Sequence, residues 1–302
     1  VHGATITLEI PGTKEPFRLP LAGGWLESGR AVRPGARPAR LPGPAKRAEG
    51  RWRLVYRGPA LVEGEIQEVV ARRGRAGERR IEFADGERFW VAAGGERVAR
   101  LEGGAPEPPR ERLLERALGA PLALALAARG VWLLHASALA GSGGGVVAVT
   151  GASGAGKSTL AAAAAREPGL RLARVADDIL PVRLGAAPVA LPHFPQLKLA
   201  PGEQYPAASP TALPLVALVE IEHSTARTRL ETLRLSPADA TLALVRATVA
   251  ARLFDRALAR AHFAACADAS AALPVLRWTY PSGADGLRQV LAVLAGVAAG
   301  KS

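Results

Sequence analysis

Apolar and polar residues alternate with period two over Ala4-Thr5-Ile6-Thr7-Leu8-Glu9-Ile10 and again over Arg51-Trp52-Arg53-Leu54-Val55-Tyr56, which predicts half-buried strands. Ile81-Glu82-Phe83 and Arg88-Phe89-Trp90-Val91, joined through Asp85-Gly86, predict a hairpin. Residues 1 to about 105 therefore read as a small antiparallel β domain, with Trp52, Tyr56, Phe89 and Trp90 as its aromatic core. After Gly103-Gly104-Ala105-Pro106-Glu107-Pro108-Pro109, a linker, the pattern changes. Arg110 to Arg129 has helical spacing, bent or broken at Pro121. Apolar runs then alternate with helical stretches: Val131 to Leu139, Val146 to Thr150, a helix from Lys157 to about Arg166, and Leu170 to Ala176. Ile179 to Arg183, Leu215 to Glu222 and Arg229 to Leu235 follow, then a helical pattern over Ser236 to Ala272, a strand Val275 to Tyr280 and a last helix from about Ala284 to Ala299. Alternation of this kind is the mark of an α/β domain, and the predicted boundary falls near 105, giving domains 1–105 and 106–302.

Composition narrows the class. The chain has 302 residues, 49% of them from the apolar set and 22% charged, enough apolar surface to build a core and incompatible with wholesale disorder. Cys266 is the single cysteine, so no intrachain disulfide forms, and no basic stretch followed by an apolar core opens the chain; a cytoplasmic protein is expected. The longest apolar run, Ala117 to Ala128, is shorter than the ~20 residues of a membrane helix. The net charge is +12, and 34 of the 39 basic residues are Arg. Residues 28–60 hold nine basic side chains against Glu49 alone, among many Pro and Gly, and read as a loop or arm. That arm is either a solvated loop or a dock for an acidic protein or peptide; nucleic acid is a weaker alternative partner.

The chemistry is concentrated in Gly151-Ala152-Ser153-Gly154-Ala155-Gly156-Lys157-Ser158, which fits G-x-x-x-x-G-K-[ST] and sits between the apolar strand 146–150 and a helix continuing through Thr159. A loop without side-chain bulk lets successive N–H groups and a helix N-terminus surround phosphate oxygens. Lys157 is placed to neutralise β and γ phosphates, and Ser158 to ligate Mg²⁺. Downstream, Asp177-Asp178 ends an apolar run. Asp-Asp at a strand end is by itself often a turn or helix cap; beside the loop motif, and because neighbouring side chains on a strand point to opposite faces, Asp177 is assigned to the metal and Asp178 to the acceptor hydroxyl as general base or orienter. His135, in Trp132-Leu133-Leu134-His135-Ala136-Ser137, is either a hydrogen-bonded core residue or a group that contacts phosphate or tunes the carboxylates. Lys198 and Arg277 are weaker candidates, each readable as an ordinary surface cation.

Leu134-His135-Ala136-Ser137, Gly151 to Thr159 and Ala176-Asp177-Asp178, in that order and spacing, resemble the catalytic domain of HPr kinase/phosphorylase and the HPr-kinase-related bacterial serine kinases. Pro195-Gln196-Leu197-Lys198-Leu199 and Leu273 to Pro281 resemble the shorter related kinases, some of which accompany peptide-modification clusters such as those for lasso peptides. The resemblance covers about residues 110 to 300 and implies a phosphoenolpyruvate carboxykinase-like P-loop fold, ATP and Mg²⁺, a Ser/Thr hydroxyl of a protein or peptide as acceptor, and a tendency to homo-oligomers. It implies phosphate contacts from Gly151, Ala152, Ser153, Gly154, Ala155, Gly156, Lys157, Ser158 and Thr159, metal contacts from Ser158 and Asp177, and catalysis by Asp178 with Lys157 and His135. The E-I-R-G-L-G-I-I-N-V type signature of that family has no counterpart: Leu218 to Thr225 is the nearest stretch and lacks Arg-Gly-Leu-Gly, so HPr itself and the reverse reaction are not implied. The alternatives are a nucleotide-switched ATPase using the basic arm on nucleic acid, and a small-molecule kinase on the same scaffold.

Overall fold

The computed structural model describes residues 4–9, 17–21, 52–62, 65–101, 110–192, 194 and 212–298. The linker 103–109, residues 28–51 of the basic arm, and the stretch 195–199 with Lys198 lie outside the described residues. The protein is mixed α/β and divides into two compact units, 1–129 with 252–258, and 130–251 with 259–302.

The first unit is a seven-stranded sheet of β1 (Ala4–Glu9), β2 (Phe17–Leu21), β3 (Arg53–Val62), β4 (Glu65–Arg73), β5 (Arg79–Phe83), β6 (Arg88–Val91) and β7 (Arg97–Leu101), in the order β2-β1-β7-β6-β5-β4-β3. Among the described strands of this sheet, the β1–β7 pair alone is parallel. The β5–β6 hairpin expected around Asp85-Gly86 is present, and its alternation puts Ile81, Phe83, Phe89 and Val91 in the core. Trp52, Tyr56 and Trp90 are half-buried instead, with the Arg80 guanidinium 5.9 Å from the Trp52 ring. The last part of the predicted arm, from Arg53, is strand β3.

Helices α1 (Arg110–Leu118) and α2 (Ala120–Ala127) belong to this unit, so the two units part at 129/130 and not at the expected 105. The cause is packing that no linker composition reveals. All of α2 from Pro121 to Ala127 is buried, and the β6–β7 turn approaches it so closely that a Cβ on Gly95, whose φ is +71°, would lie 2.0 Å from the Ala125 carbonyl oxygen. From α1, Arg116 donates to Asp85 at 2.6 Å and to Glu87 at 3.1 Å. Burial, the largest single influence, would raise the Asp85 carboxyl, but the Arg116 hydrogen bond, the Glu87 N–H bond and the charges of Arg116 and Arg112 together hold it below its usual range.

The second unit holds β8 (Trp132–His135), β9 (Ser137–Ala140), β10 (Val146–Thr150), α3 (Lys157–Arg166), β11 (Ala173–Ala176), β12 (Ile179–Arg183), β13 (Val189–Ala190), β14 (Leu213–Ser224), β15 (Glu231–Arg234), α4 (Pro237–Ala247), α5 (Arg256–Ala272), β16 (Val275–Pro281) and α6 (Ala284–Ala298), α5 beginning in the segment that belongs to the first unit. The strand order is β11-β9-β10-β14-β13-β12-β8, with β16 also beside β14 and β15 beside β16. Strands β10, β14 and β16 run parallel. Buried throughout, β10 reads as a continuous apolar run. Leu160, Ala161 and Ala164 of α3 and Val290 and Leu294 of α6 share its core with Val147, Val149, Val219 and the fully buried Trp278. Each fully buried Val or Leu side chain of this cluster contributes about 1.5–3 kcal/mol.

Two predicted elements are broken in ways that shape the unit. The run Val131 to Leu139 splits at Ala136, whose N–H donates to Asp178 O at 3.1 Å; β8 pairs with β12 while β9 pairs with β10. The helical pattern over 236–272 is interrupted after Ala247, because Val249 N–H is captured by Leu133 O at 2.7 Å and Ala250 takes a φ of +59°.

At that interruption lies a buried polar cluster. Thr248 Oγ1 donates to Leu244 O at 2.9 Å, which makes His262 Nε2, also 2.9 Å away, the donor to Thr248. The His262 ring lies 4.7 Å from that of Trp132, and Cys266 Sγ is 3.3 Å from Nε2. Burial pushes the His262 imidazole down to about 4 and the Cys266 thiol up to about 12. Below an ordinary His value of 6.5 the unfolded chain takes a proton that the folded one refuses until about pH 4. Stability from this group is therefore complete above that value and lost as pH falls through the window. The slope reaches about 1.4 kcal/mol per pH unit. Urea unfolding between pH 4 and 7 is expected to show this slope, and His262→Gln to lose it; equal slopes in both proteins would refute the assignment.

Candidate active site

The loop 151–156 leaves the end of β10 and enters α3. Its first residue cannot carry a side chain: Gly151 has a φ of +150°, and a Cβ there would lie 2.6 Å from Ile221 O on β14. Lys157, the first residue of α3, is 8% exposed, and its ammonium donates to Gly151 O and Ala152 O, both at 3.0 Å. The cation is thus folded over the loop it follows. Ala152, Ser153, Gly154, Ser158 and Thr159 are exposed, whereas Ala155 is buried.

Asp177 and Asp178 follow β11 directly, on the β9 side of β10. The main-chain oxygen of Asp177 accepts from Ser137 Oγ at 3.0 Å and from Ser158 Oγ at 3.5 Å, which ties the start of α3 to the carboxylate pair. Their side chains have different partners, as alternation predicts. Asp177 is buried, its Oδ1 2.8 Å from Arg174 Nη2. Asp178 is half-exposed, its Oδ1 3.3 Å from His135 Nδ1. His135 is not a core residue: its side chain is 43% exposed. It sits where the chain passes from β8 to β9, paired across to Ile179 and with its carbonyl accepting from Thr150 Oγ1 at 3.3 Å. One sheet crossing thus gathers His135, Asp178 and the end of the loop-bearing strand.

An open cleft of about 510 Å³ lies along the other flank, between the loop residues 151–155 and Glu220, Ile221, Glu222, His223 and Arg277 at the ends of β14 and β16. Arg277 donates from Nε and Nη2 to Glu220 Oε2 at 2.9 and 2.7 Å, and Arg246 Nη2 lies 3.8 Å from Glu220 Oε1. Sequence reasoning singled out Arg277 without its partner. Glu220, Glu222 and His223 were missed as cleft residues; the available signal was the position of 218–224 as a second apolar strand, whose carboxyl end opens beside the loop only if the two strands are parallel neighbours.

Magnesium prefers one or two carboxylates with phosphate oxygens and water completing the shell. Here the Ser158 hydroxyl donates to the main-chain oxygen of Asp177 at 3.5 Å, while the Asp177 carboxylate lies 2.8 Å from the Arg174 guanidinium.

The site is therefore that of a mixed α/β protein in which a glycine-rich loop between a buried strand and a helix adjoins a carboxylate–imidazole pair. Among solved structures, the Hpr(Ser) kinase/phosphatase from Coxiella burnetii aligns with 55% of this chain and 92% of its own, at 12% identity and a TM-score of 0.29. That likeness is distant and defines no shared family. No family model and no curated protein sequence matches the chain.

Proposed function

We propose that the protein is an ATP- and Mg²⁺-dependent kinase that transfers the γ-phosphoryl group to a Ser or Thr hydroxyl of a protein or peptide, on a P-loop scaffold of the phosphoenolpyruvate carboxykinase-like type. The observation that carries this reading is the juxtaposition of the 151–158 loop with the His135–Asp178 pair, 3.3 Å between Nδ1 and Oδ1. In this reading the loop amides and the α3 N-terminus receive the phosphates, and Lys157 exchanges two carbonyl oxygens for phosphate oxygens. Asp178 accepts the acceptor hydroxyl proton as the new O–P bond forms and ADP leaves, and His135 holds the Asp178 carboxylate in place. Ser158 and Asp177 would hold Mg²⁺, which supplies neutralisation of phosphate charge.

Incubation of the purified protein with γ-labelled ATP, Mg²⁺ and an extract of its host is expected to label one protein or peptide, and Lys157→Ala to abolish that label. Equal labelling by Lys157→Ala would refute the reading, and label recovered only on a small molecule would transfer it to a metabolite kinase.

A further inference from the structure

We infer that the cleft at the ends of β14 and β16 receives the nucleoside half of the bound nucleotide, with Glu220, Glu222, His223 and Arg277 as its specificity wall. This rests on the nucleotide reading above and adds to it where the base and ribose lie. The direction follows from the order of strands. The strand that carries the loop, β10, has β9 and then β11 on one side and β14 and then β16 on the other. Everything assigned to chemistry gathers where β11 and β9 end beside β10: Ser158 against Asp177, and Asp178 against His135, which ends β8 at the crossing into β9. A triphosphate lying in the loop with its γ end toward Asp178 must extend its other end away from β11. On that opposite side the register aligns Thr150, the last residue of β10, with Glu220, and Glu220 with Arg277. The cleft opens there, beside loop residues 151–155, and its volume of about 510 Å³ falls within the roughly 300–1,000 Å³ of small-molecule sites.

Its chemistry suits an uncharged polar group better than further phosphates. Two carboxylates two residues apart on β14, Glu220 and Glu222, point to one side of the sheet, and Glu222 is exposed. Carboxylates accept hydrogen bonds from ribose hydroxyls and repel phosphate oxygens. Arg277 keeps its plane because both of its bonds go to Glu220 Oε2, leaving a guanidinium face on which a base can stack. His223 is exposed at the same strand end, its ring 6.5 Å from that of Tyr280, whose hydroxyl donates to Ala155 O in the loop at 3.4 Å.

Calorimetric titration of the full chain with ATP and, separately, with inorganic tripolyphosphate separates the two halves of the ligand. Glu222→Gln and Arg277→Gln are each expected to weaken ATP about tenfold, the scale of a lost charged hydrogen bond, while changing tripolyphosphate less than about twofold. Lys157→Ala is expected to weaken both ligands. Because Glu222 is exposed, its substitution leaves folding untouched and reports on the cleft even if Arg277→Gln does not fold. Unchanged ATP affinity, or a parallel loss for both ligands, overturns the inference while leaving the phosphate loop standing. A wild-type protein that binds neither ligand overturns the nucleotide reading itself.

Discussion

Asp178→Asn is expected to lower phosphotransfer turnover by about 10²- to 10⁴-fold, the usual cost of losing a positioned general base, while ATP affinity stays near that of the wild type. The carboxamide keeps the size and the approach to His135, now 3.3 Å from Oδ1, but cannot accept the hydroxyl proton. The split between turnover and affinity is what distinguishes proton transfer from metal binding. If Asp178 held Mg²⁺ instead, its loss would weaken Mg·ATP binding along with turnover, whereas that pattern is expected of Asp177→Asn. His135→Gln, which removes only the orientation of the carboxylate, is expected to cost less than Asp178→Asn. Single-turnover rates with saturating ATP, set beside calorimetric affinities, decide the matter; wild-type turnover in Asp178→Asn would remove it from the mechanism.

The largest stability effect is expected at Arg116→Ala, a loss of about 3–5 kcal/mol, the cost of breaking one partner out of a buried ion pair. The Arg116 side chain is wholly buried and Glu87 is 1% exposed, so the variant takes Arg116 from a buried carboxylate whose other oxygen lies 2.7 Å from Arg100. Arg116 also lies 5.2 Å from the Phe83 ring centroid, so its removal strips a packed face from the sheet. Urea unfolding of the full chain is the measurement, read on the transition of the first unit, since two units need not unfold together. Replacing the pair together, Arg116→Met with Glu87→Gln, is expected to recover much of the loss. A cost below about 1 kcal/mol for Arg116→Ala, the range of exposed ion pairs, would show that the pair is not in a desolvated environment.

What could be read from the chain were the features written in neighbouring residues. Strand β10, the loop after it and α3 from Lys157 to Arg166 follow from an apolar run, small loop residues and an Ala-rich stretch. The break near Pro121 was legible for the same reason, since Pro sits at the start of α2. The missed features depend on partners distant in sequence. Nothing within 110–129 announces that Arg116 meets Asp85 and Glu87, so the boundary was placed at the linker. The helical pattern across Thr248 is overridden by a carbonyl on Leu133. In the site, the Asp177-Asp178 pair could be proposed from its nearness to the loop motif, but its pairing with Arg174 and His135 needed the crossing at Ala136. The Glu220–Arg277 wall spans 57 residues and exists only through the β14–β16 register.

The most direct test of the kinase reading is the chemical identity of the phosphorylated product. After reaction of the purified protein with γ-labelled ATP, Mg²⁺ and host extract, peptide mapping by mass is predicted to find an acid-stable phosphate ester on a Ser or Thr hydroxyl, formed by the wild type and not by Lys157→Ala or Asp178→Asn. Label released only as inorganic phosphate, or an ester formed equally by all three proteins, would contradict it.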